Sequence, residues 1–567
     1  MDKKSLIGFI LIFIIILLMP KYFQWINKGG TVQRPVIEEK ASATKRETPT
    51  TTEHQKGKAS PQAASSTTTA PLRVRNYPID TLTVETDLYI AKISSSGGGT
   101  LKSLILKNYK SIKGKDTVLV DLIPQGQEFP LYNSFISIQG DSIKLNSPFK
   151  IKGPLPYPAK KYFTISGKDT LSLTFVLETE YGPVTRKLTF YGNRYYITLY
   201  QDLTQIVDFI GTEYFSINWR SGLPTTERNT KDDLYYSGAY AYTGGELDKL
   251  TVKSGKTASS TFKGKVDWTA LRSKYFTSAI IPQTNTYGYF LKGKSFTKGR
   301  KEIWKKYEMQ LQFPVKTPAT VKVYMGPLDY YAIKSLNINL EKIMNFGFSL
   351  IRPISKAILW LFIYVHKFIP NYGLVLILFS IFVKIILSPL TIKSMRSIRE
   401  LQALQPKLAA LTEKYKNDPQ RLNMERMKLF KEHKINPMGG CLPILLQMPI
   451  LWALFIIFRT TIELRQAPFM LWIKDLSAPD TIFTLPFSIP LYGSNVNVLP
   501  IIMLITTVLQ QKFASTTVDK QQKIQSYLFS IIFFFIFNQF PSGLNLYYSL
   551  FNILTILQQK FIPLKSD

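Results

Sequence analysis

The side chain best placed to do chemistry in this chain is a lysine inside an apolar run. Residues Asn371 to Thr391 read NYGLVLILFSIFVKIILSPLT, and the single charge among them is Lys384. A bilayer span needs about 20 apolar residues, and a lysine near mid-membrane costs roughly 2.5–3.5 kcal/mol on insertion scales. Helix neighbours three or four residues apart share a face. Lys384 therefore shares a narrow polar stripe with Ser380, Ser388 and Thr391, while the opposite side is Ile, Leu and Phe. Such a stripe should face protein or water rather than lipid. Two readings of Lys384 stay open on these residues: a lysine that snorkels to the near interface, and a cation held in a watered cavity. The basic segment and the polar residues C-terminal to it favour the second. Another polar stripe, Asn545, Ser549, Asn552 and Gln559, recurs at helical spacing in the apolar run Leu544–Ile562, although small polar stripes also serve helix packing alone. Gln447 is the one strong internal polar group of a further apolar run, 436–460.

Other chemistries find little support. An intramembrane hydrolase needs paired Asp, or Ser with His or Lys. No Asp lies in the apolar interiors, which leaves only a Ser–Lys dyad of Lys384 with Ser380 or Ser388. A secondary transporter with a periplasmic binding domain is the alternative function, but the internal repeats common in transporters are not visible. Three scattered histidines and one cysteine, Cys441, offer no metal-ligand spacing and no intramolecular disulfide. No cofactor is expected. The net charge of +33 brings nucleic acid, ribosome and anionic lipid into consideration as partners, without any motif of nucleic-acid specificity.

The rest of the chain has to hold these residues in place. Residues 1–27 carry a basic start, an apolar centre and bulky Tyr22, Phe23 and Trp25 in place of a cleavage site, so they read as an uncleaved membrane anchor. Residues 28–75 are Thr, Ser, Ala, Pro, Lys and Glu with almost no large apolar side chains, the composition of a disordered tether. From 76 to 327, short alternating segments such as LSLTFVLETEY and ATVKVYMG are separated by Gly, Pro, Asn and Asp, which predicts an all-β sandwich. Its glycines at 97–99 lack the flanking pattern of a phosphate cradle. Residues 328–370 form a linker and an amphipathic interfacial helix, and 371–391 the first span of the core. Pro389 is expected to kink its end.

The segment 392–436 holds eleven Lys or Arg against five Asp or Glu. Leucines at heptad-like spacing and a turn with Asp418 as N-cap and Pro419 as first helical residue make it an antiparallel helical hairpin. Its basic excess puts it on the cytoplasmic side. Four more spans occupy 437–563, with an external loop at 462–495, and 564–567 is a short cytoplasmic tail. The expected fold is thus a polytopic α-helical membrane protein of six spans plus an all-β sandwich domain on the outer side, with both termini cytoplasmic. Several spans are short, since 17 residues at 1.5 Å rise give roughly 25 Å.

The stretches NPMGGCLPILLQMPI, ELRQAPFMLWIKDLSA and FPSGLNLYYSLFNILTILQQKFI resemble the YidC-type membrane protein insertase family. The resemblance covers about 328–563, and 28–327 has the position and size of that family's large periplasmic domain, which makes the all-β sandwich domain periplasmic. It implies a five-span insertase core with a cytoplasmic helical hairpin and a hydrophilic groove open to cytoplasm and lipid. In the family the groove carries one positive residue, usually arginine. Lys384 stands at that position, which keeps the charge and loses the planar five-donor fork. The groove residues implied are Lys384, Ser380, Ser388, Gln447, Asn545, Ser549 and Asn552, with Lys407, Lys414 and Lys416 of the hairpin as contacts for nascent chains or ribosomes. Nascent membrane proteins, membrane lipids, the Sec translocon and the ribosome are the partners implied, in a bacterial inner membrane. The chain ends KSD soon after the last span, where some family members carry a long basic tail. Insertion makes and breaks no bond, so no catalytic residue is expected.

Overall fold

A computed structural model describes residues 72–561, except 114–115, 125, 127–129, 153–159, 299–301, 417, 434–441, 491 and 515–519. The expected anchor, most of the tether and the short tail lie outside the described residues. Contacts divide the chain into two units, Trp25–Ile343 and Met344–Asp567 with Met1–Gln24.

Alternation builds the first unit. In the strand Gly182–Tyr191 the inward residues are Val184, Arg186, Leu188 and Phe190, and those between are partly or fully exposed, the period-two pattern of a half-buried strand. Nine strands form one sheet, with Ala319–Pro327 near its middle between Phe276–Pro282 and Tyr196–Asp202. A six-stranded sheet is built around Glu302–Pro314 and Tyr214–Trp219, and a five-stranded sheet around Tyr89–Ser94. Among the described residues, every strand pair in this unit is antiparallel except Thr81–Glu85 with Tyr162–Thr164.

Arg186 ties the layers together. Its guanidinium is buried and donates to Gln201 Oε1 (2.8 Å), to Asn133 Oδ1 of the six-stranded sheet (2.6 Å) and to the carbonyl of Gly97 (3.0 Å). A buried charge is tolerated only when its donors are matched in this way. Beside it Gly99 has φ +93°, and a Cβ there would lie 2.7 Å from the Phe175 ring. The glycines at 97–99 thus serve core packing. Two short helices, α1 (Thr230–Tyr236) and α2 (Tyr330–Lys334), decorate the unit.

The second unit is helical. It comprises α3 (Ile351–His366), α4 (Tyr372–Ala403), α5 (Gln405–Lys414), α6 (Pro419–Glu432), α7 (Leu442–Thr460), α8 (Val498–Ala514), α9 (Lys520–Phe537) and α10 (Ser542–Phe561). Asn371 opens α4 by accepting from the backbone N–H of Gly373 (2.9 Å) and Leu374 (3.2 Å), the helix-capping role of Asn. Among the described residues one helical stretch, Tyr372–Leu401, is long and apolar enough to cross a membrane. Leu446–Thr460, Val498–Phe513 and Tyr527–Phe537 are shorter apolar helices. Against α4 pack α3, α7 and α10, and α8 packs on both α9 and α10. The start of α10 lies so close to α7 that a Cβ on Gly543 would collide with the Phe458 ring.

Three local expectations can be set beside the structure. Pro389 lies inside α4, which continues for 32 residues into the basic segment. Proline forfeits one backbone hydrogen bond, and membrane helices tolerate that loss. The leucine seam of the basic segment is interrupted at Leu404, where α5 begins, and no residue of α5 is buried. The expected loop 462–495 contains two strands, Thr481–Ile489 and Gly493–Asn497, paired as a hairpin. Asp418 does cap α6, accepting from the N–H of Arg421 at 3.1 Å, with Pro419 as the first helical residue.

Candidate functional site

The exposure pattern of α4 is inverted relative to a helix in water. Ile385 is 67 % exposed and Lys384 7 %. Charged residues are almost never this buried in a soluble protein unless paired, so the order suits an apolar surround. Phe382 and Ile386 join Ile385 on the outer side, while Ser380 and Thr391 are buried along with Lys384.

The helix that meets the lysine is α10. Lys384 Nζ donates to Thr555 Oγ1 at 2.8 Å and sits 4.6 Å from the centre of the Phe551 ring. Thr555 spends its own hydroxyl proton on the Phe551 carbonyl (2.7 Å), which leaves its oxygen lone pairs to the ammonium. The Phe551 ring adds a cation–π contact. Among the described residues no carboxylate forms an ion pair with Lys384. One turn further along, Gln558 Nε2 donates to Ser388 Oγ at 2.7 Å. The lysine is thus a buried cation with a hydroxyl and a ring for company and no counter-charge.

The remaining expected residues divide among separate neighbours. Asn552 reaches α8, donating to Thr507 Oγ1 (2.9 Å) and Thr506 Oγ1 (3.3 Å). Asn545 donates to the Phe537 carbonyl at the end of α9 (3.1 Å). Ser380 and Ser549 turn back on their own helices, to the carbonyls of Leu376 (2.7 Å) and Asn545 (2.8 Å), an ordinary local bond for a mid-helix serine. Gln447 on α7 is buried, and its amide lies beside the Tyr547 hydroxyl of α10. Asn545 Oδ1 and Gln558 Oε1 have no hydrogen-bond partner. A dry orphan of this kind costs about 1–3 kcal/mol, so such atoms favour a cavity that admits water or polar peptide.

Thr555, Phe551 and Gln558 are absent from the sequence-based set. Their signal is present in the chain: Asn552, Thr555 and Gln558 succeed one another at steps of three on the face that carries the stripe. Gln559, which helical spacing from Asn552 selects instead, leaves its Oε1 without a partner.

The hairpin lysines lie apart from this stripe in the chain, on α5 and just beyond it. Lys407 Nζ is 3.0 Å from His433 Nε2 across the hairpin, and Lys416 makes an exposed contact with Glu413 at 3.8 Å. Lys407 and Lys414 line a shallow groove with Leu411, Glu425, Lys428 and Glu432. Among the described residues no cluster of His, Cys, Asp and Glu could hold a metal ion.

Two family descriptions match the chain: "60Kd inner membrane protein" over residues 364–566 and "YidC periplasmic domain" over 81–361. Among curated relatives, "Membrane protein insertase YidC" of Chlorobaculum parvum is 35 % identical over 575 residues, covering 99 % of this chain and 94 % of that one. The protein of the same name from Chlorobium luteolum is 37 % identical over 489 residues, covering 84 % and 82 %. A solved structure described as an active YidC insertase with the first transmembrane domain resolved is 19 % identical, covers 87 % of this chain and 95 % of that one, and aligns with a TM-score of 0.36.

The contact of Lys384 with Thr555 gives a direct test. Thr555→Val keeps the shape and removes the oxygen that accepts from the ammonium, so it should destabilise the helical unit by about 1–3 kcal/mol. Thr555→Ser keeps the oxygen and should stay near the parent. Thermal unfolding of the detergent-solubilised proteins reads the difference; equal midpoints for Val and the parent would remove Thr555 from the site.

Proposed function

The chain belongs to the YidC family of membrane protein insertases, and from that premise we propose that it inserts its substrates along the Lys384 stripe, by lowering the electrostatic barrier to polar and acidic segments. It is a membrane protein insertase and not an enzyme. Moving an unsatisfied polar group through hydrocarbon costs several kcal/mol. A hydrated groove through part of the bilayer shortens that path, and a cation in it favours acidic segments. The substrate's apolar helix then leaves sideways into lipid.

The observation that carries this reading is the buried ammonium of Lys384, held by Thr555 at 2.8 Å with no ion-paired carboxylate among the described residues. A counter-ion would cancel the potential that draws an acidic tail. With a lone hydroxyl and a ring as neighbours, the charge stays available to an incoming carboxylate. Ser388, Asn552, Gln447 and the orphaned polar atoms around them are proposed to line the same groove. Ser380, Asn545 and Ser549 join them as polar surface rather than as direct contacts.

Variants at position 384 test the mechanism. At an effective dielectric of about 20, one charge pair at about 6 Å is worth roughly 3 kcal/mol before desolvation is subtracted. Lys384→Arg should work nearly normally, since sign and position persist. Lys384→Leu should slow substrates with acidic translocated tails, by about tenfold per 1.4 kcal/mol lost, and spare neutral-tailed ones. Lys384→Glu should be worse still for acidic tails. Reconstituted insertion of a substrate pair differing only in tail charge decides the matter. Equal insertion of both by all three variants would reduce Lys384 to a snorkelling residue.

The proposed topology has six spans: the anchor 1–27, α4, α7, α8, α9 and α10. The α3 helix lies in the interface, the β-rich unit and 462–495 are outside, and 392–436 and 514–523 are in the cytoplasm. Support comes from the basic excess of 392–436 and the absence of charge from Thr481 to Gln511, which obey the positive-inside rule. Single-cysteine labelling in intact cells, in a Cys441→Ser background, should modify the external loops and leave the hairpin unlabelled. Labelling of the hairpin from outside would invert the arrangement.

Nascent chains are the proposed substrates, with lipids, the ribosome and the Sec translocon as proposed partners. Lys407, Lys414 and Lys416 are proposed to hold nascent chains or ribosomes near the groove by long-range attraction. Charge reversal of all three to Glu should slow substrate capture, most at low salt, where screening is weak. Capture unchanged at every ionic strength would make the hairpin a passive cover.

A further inference from the structure

The hairpin that replaces the expected loop has an unusual surface. From Thr481 to Gln511 the chain carries no charged residue over 31 positions. Among the described residues, the strands Thr481–Ile489 and Gly493–Asn497 pair with each other and with no other strand. Ile482 and Phe483 are each 53 % exposed and Phe487 60 %. An isolated two-stranded hairpin is marginal in water, and a cluster of exposed large apolar side chains marks a site for lipid or another protein.

Nevertheless the hairpin is firmly held. Asp480, just before it, accepts from Trp472 Nε1 (2.9 Å) and from the backbone N–H groups of Val498 (3.1 Å) and Leu499 (2.8 Å), so one carboxylate joins the start of the hairpin to the start of α8. Asn538, just past α9, donates to the carbonyls of Tyr492 (3.0 Å) and Asn495 (2.8 Å). The Tyr492 ring packs on Phe534 and Phe535 at 5.6 and 5.8 Å. Since Phe534 lies one turn inside α9 from Asn538, the hairpin's turn lies alongside the last apolar turn of that helix.

We propose that the hairpin Thr481–Asn497 is a lipid-binding element, seated in the polar–apolar boundary of the bilayer at the outer ends of α8 and α9. The proposal rests on the reading that these helices and α4 cross the membrane. Two observations select lipid over a protein partner. The hairpin continues directly into α8, whose 17 residues span only about 25 Å against a hydrocarbon core of about 30 Å. Apolar side chains at its outer end extend the apolar surface where the helix runs short. The open edges also suit an added strand poorly. Pro486 lacks a backbone N–H to offer one, and the register slips between Thr484 and Ile489. Uncharged residues with exposed aromatics are the composition that settles at a membrane interface.

The test uses the full chain in proteoliposomes of phosphatidylethanolamine and phosphatidylglycerol. In a Cys441→Ser background, single cysteines replacing Phe487, Ile385 on the outer side of α4, or the exposed Tyr235 of the β-rich unit carry an environment-sensitive fluorophore. Quenching is measured with a lipid bearing a nitroxide high on its acyl chain, and with aqueous iodide. The probe at 487 should be quenched by the lipid nitroxide like that at 385, with iodide quenching several-fold weaker than at 235. A probe at 487 that behaves like 235, while 385 is quenched by the lipid, overturns the proposal and leaves the spans intact, pointing to water or a protein partner. A probe at 385 that escapes the lipid nitroxide removes the spans, and the proposal with them.

Discussion

The helical unit is arranged around one unbalanced charge. Lys384 is buried against α10 with a threonine oxygen at 2.8 Å and a phenylalanine ring at 4.6 Å, and without an ion-paired carboxylate among the described residues. Burying a charge that way is expensive, and the neighbourhood reflects the expense. Thr555 accepts from it, and one turn along Ser388 and Gln558 continue the polar contact between the two helices. Those facing away on α4, Ile385 and Ile386, are apolar and exposed. A carboxylate at Thr555 would have neutralised the lysine and stabilised the resting protein. Its absence is consistent with the proposed role of Lys384, in which the positive potential is lent to a passing segment.

The bilayer imposes the second constraint. Where no water reaches, backbone polar groups must be satisfied within the protein, and the joints between helices meet that demand with short-range polar contacts. Asn371 caps α4, Asp480 caps α8, and Ser542 Oγ donates to the Asp475 carbonyl at 2.7 Å. These bonds fix the helix ends at one side of the unit. Buried side-chain atoms without a partner remain on more than one helix, among them Ser355 Oγ on α3 and Asn545 Oδ1 and Gln558 Oε1 on α10.

In the β-rich unit the same rule is met by a charge with several hydrogen-bond acceptors. Arg186 occupies an inward position in a row of aliphatic and aromatic side chains and finds three oxygen acceptors, one from another sheet. Arg186 and Lys384 therefore contrast: Arg186 has an acceptor on each of its three nitrogens, and Lys384 has one.

The sequence by itself determined which residues are out of place. A lysine in an apolar run, a polar stripe in another and a basic segment between them are set by spacing and hydropathy alone, as are the β-rich unit by its alternation and the cap at Asp418. It also pointed to the insertase family through three short stretches. Partners were beyond its reach, because helix periodicity defines a face and not the surface that face meets. The polar residues of α10 look like one stripe, yet packing sends Asn552 to α8, Thr555 and Gln558 to α4, and Asn545 to the end of α9. Threonine is weakly polar, and only its oxygen beneath the lysine marks it as part of the site. The hairpin at 481–497 has the look of a loop because its prolines and irregular register hide strand alternation. Only the tertiary structure could decide these points, since a hydrogen bond between residues 171 positions apart depends on how two helices lie together, which no local pattern encodes.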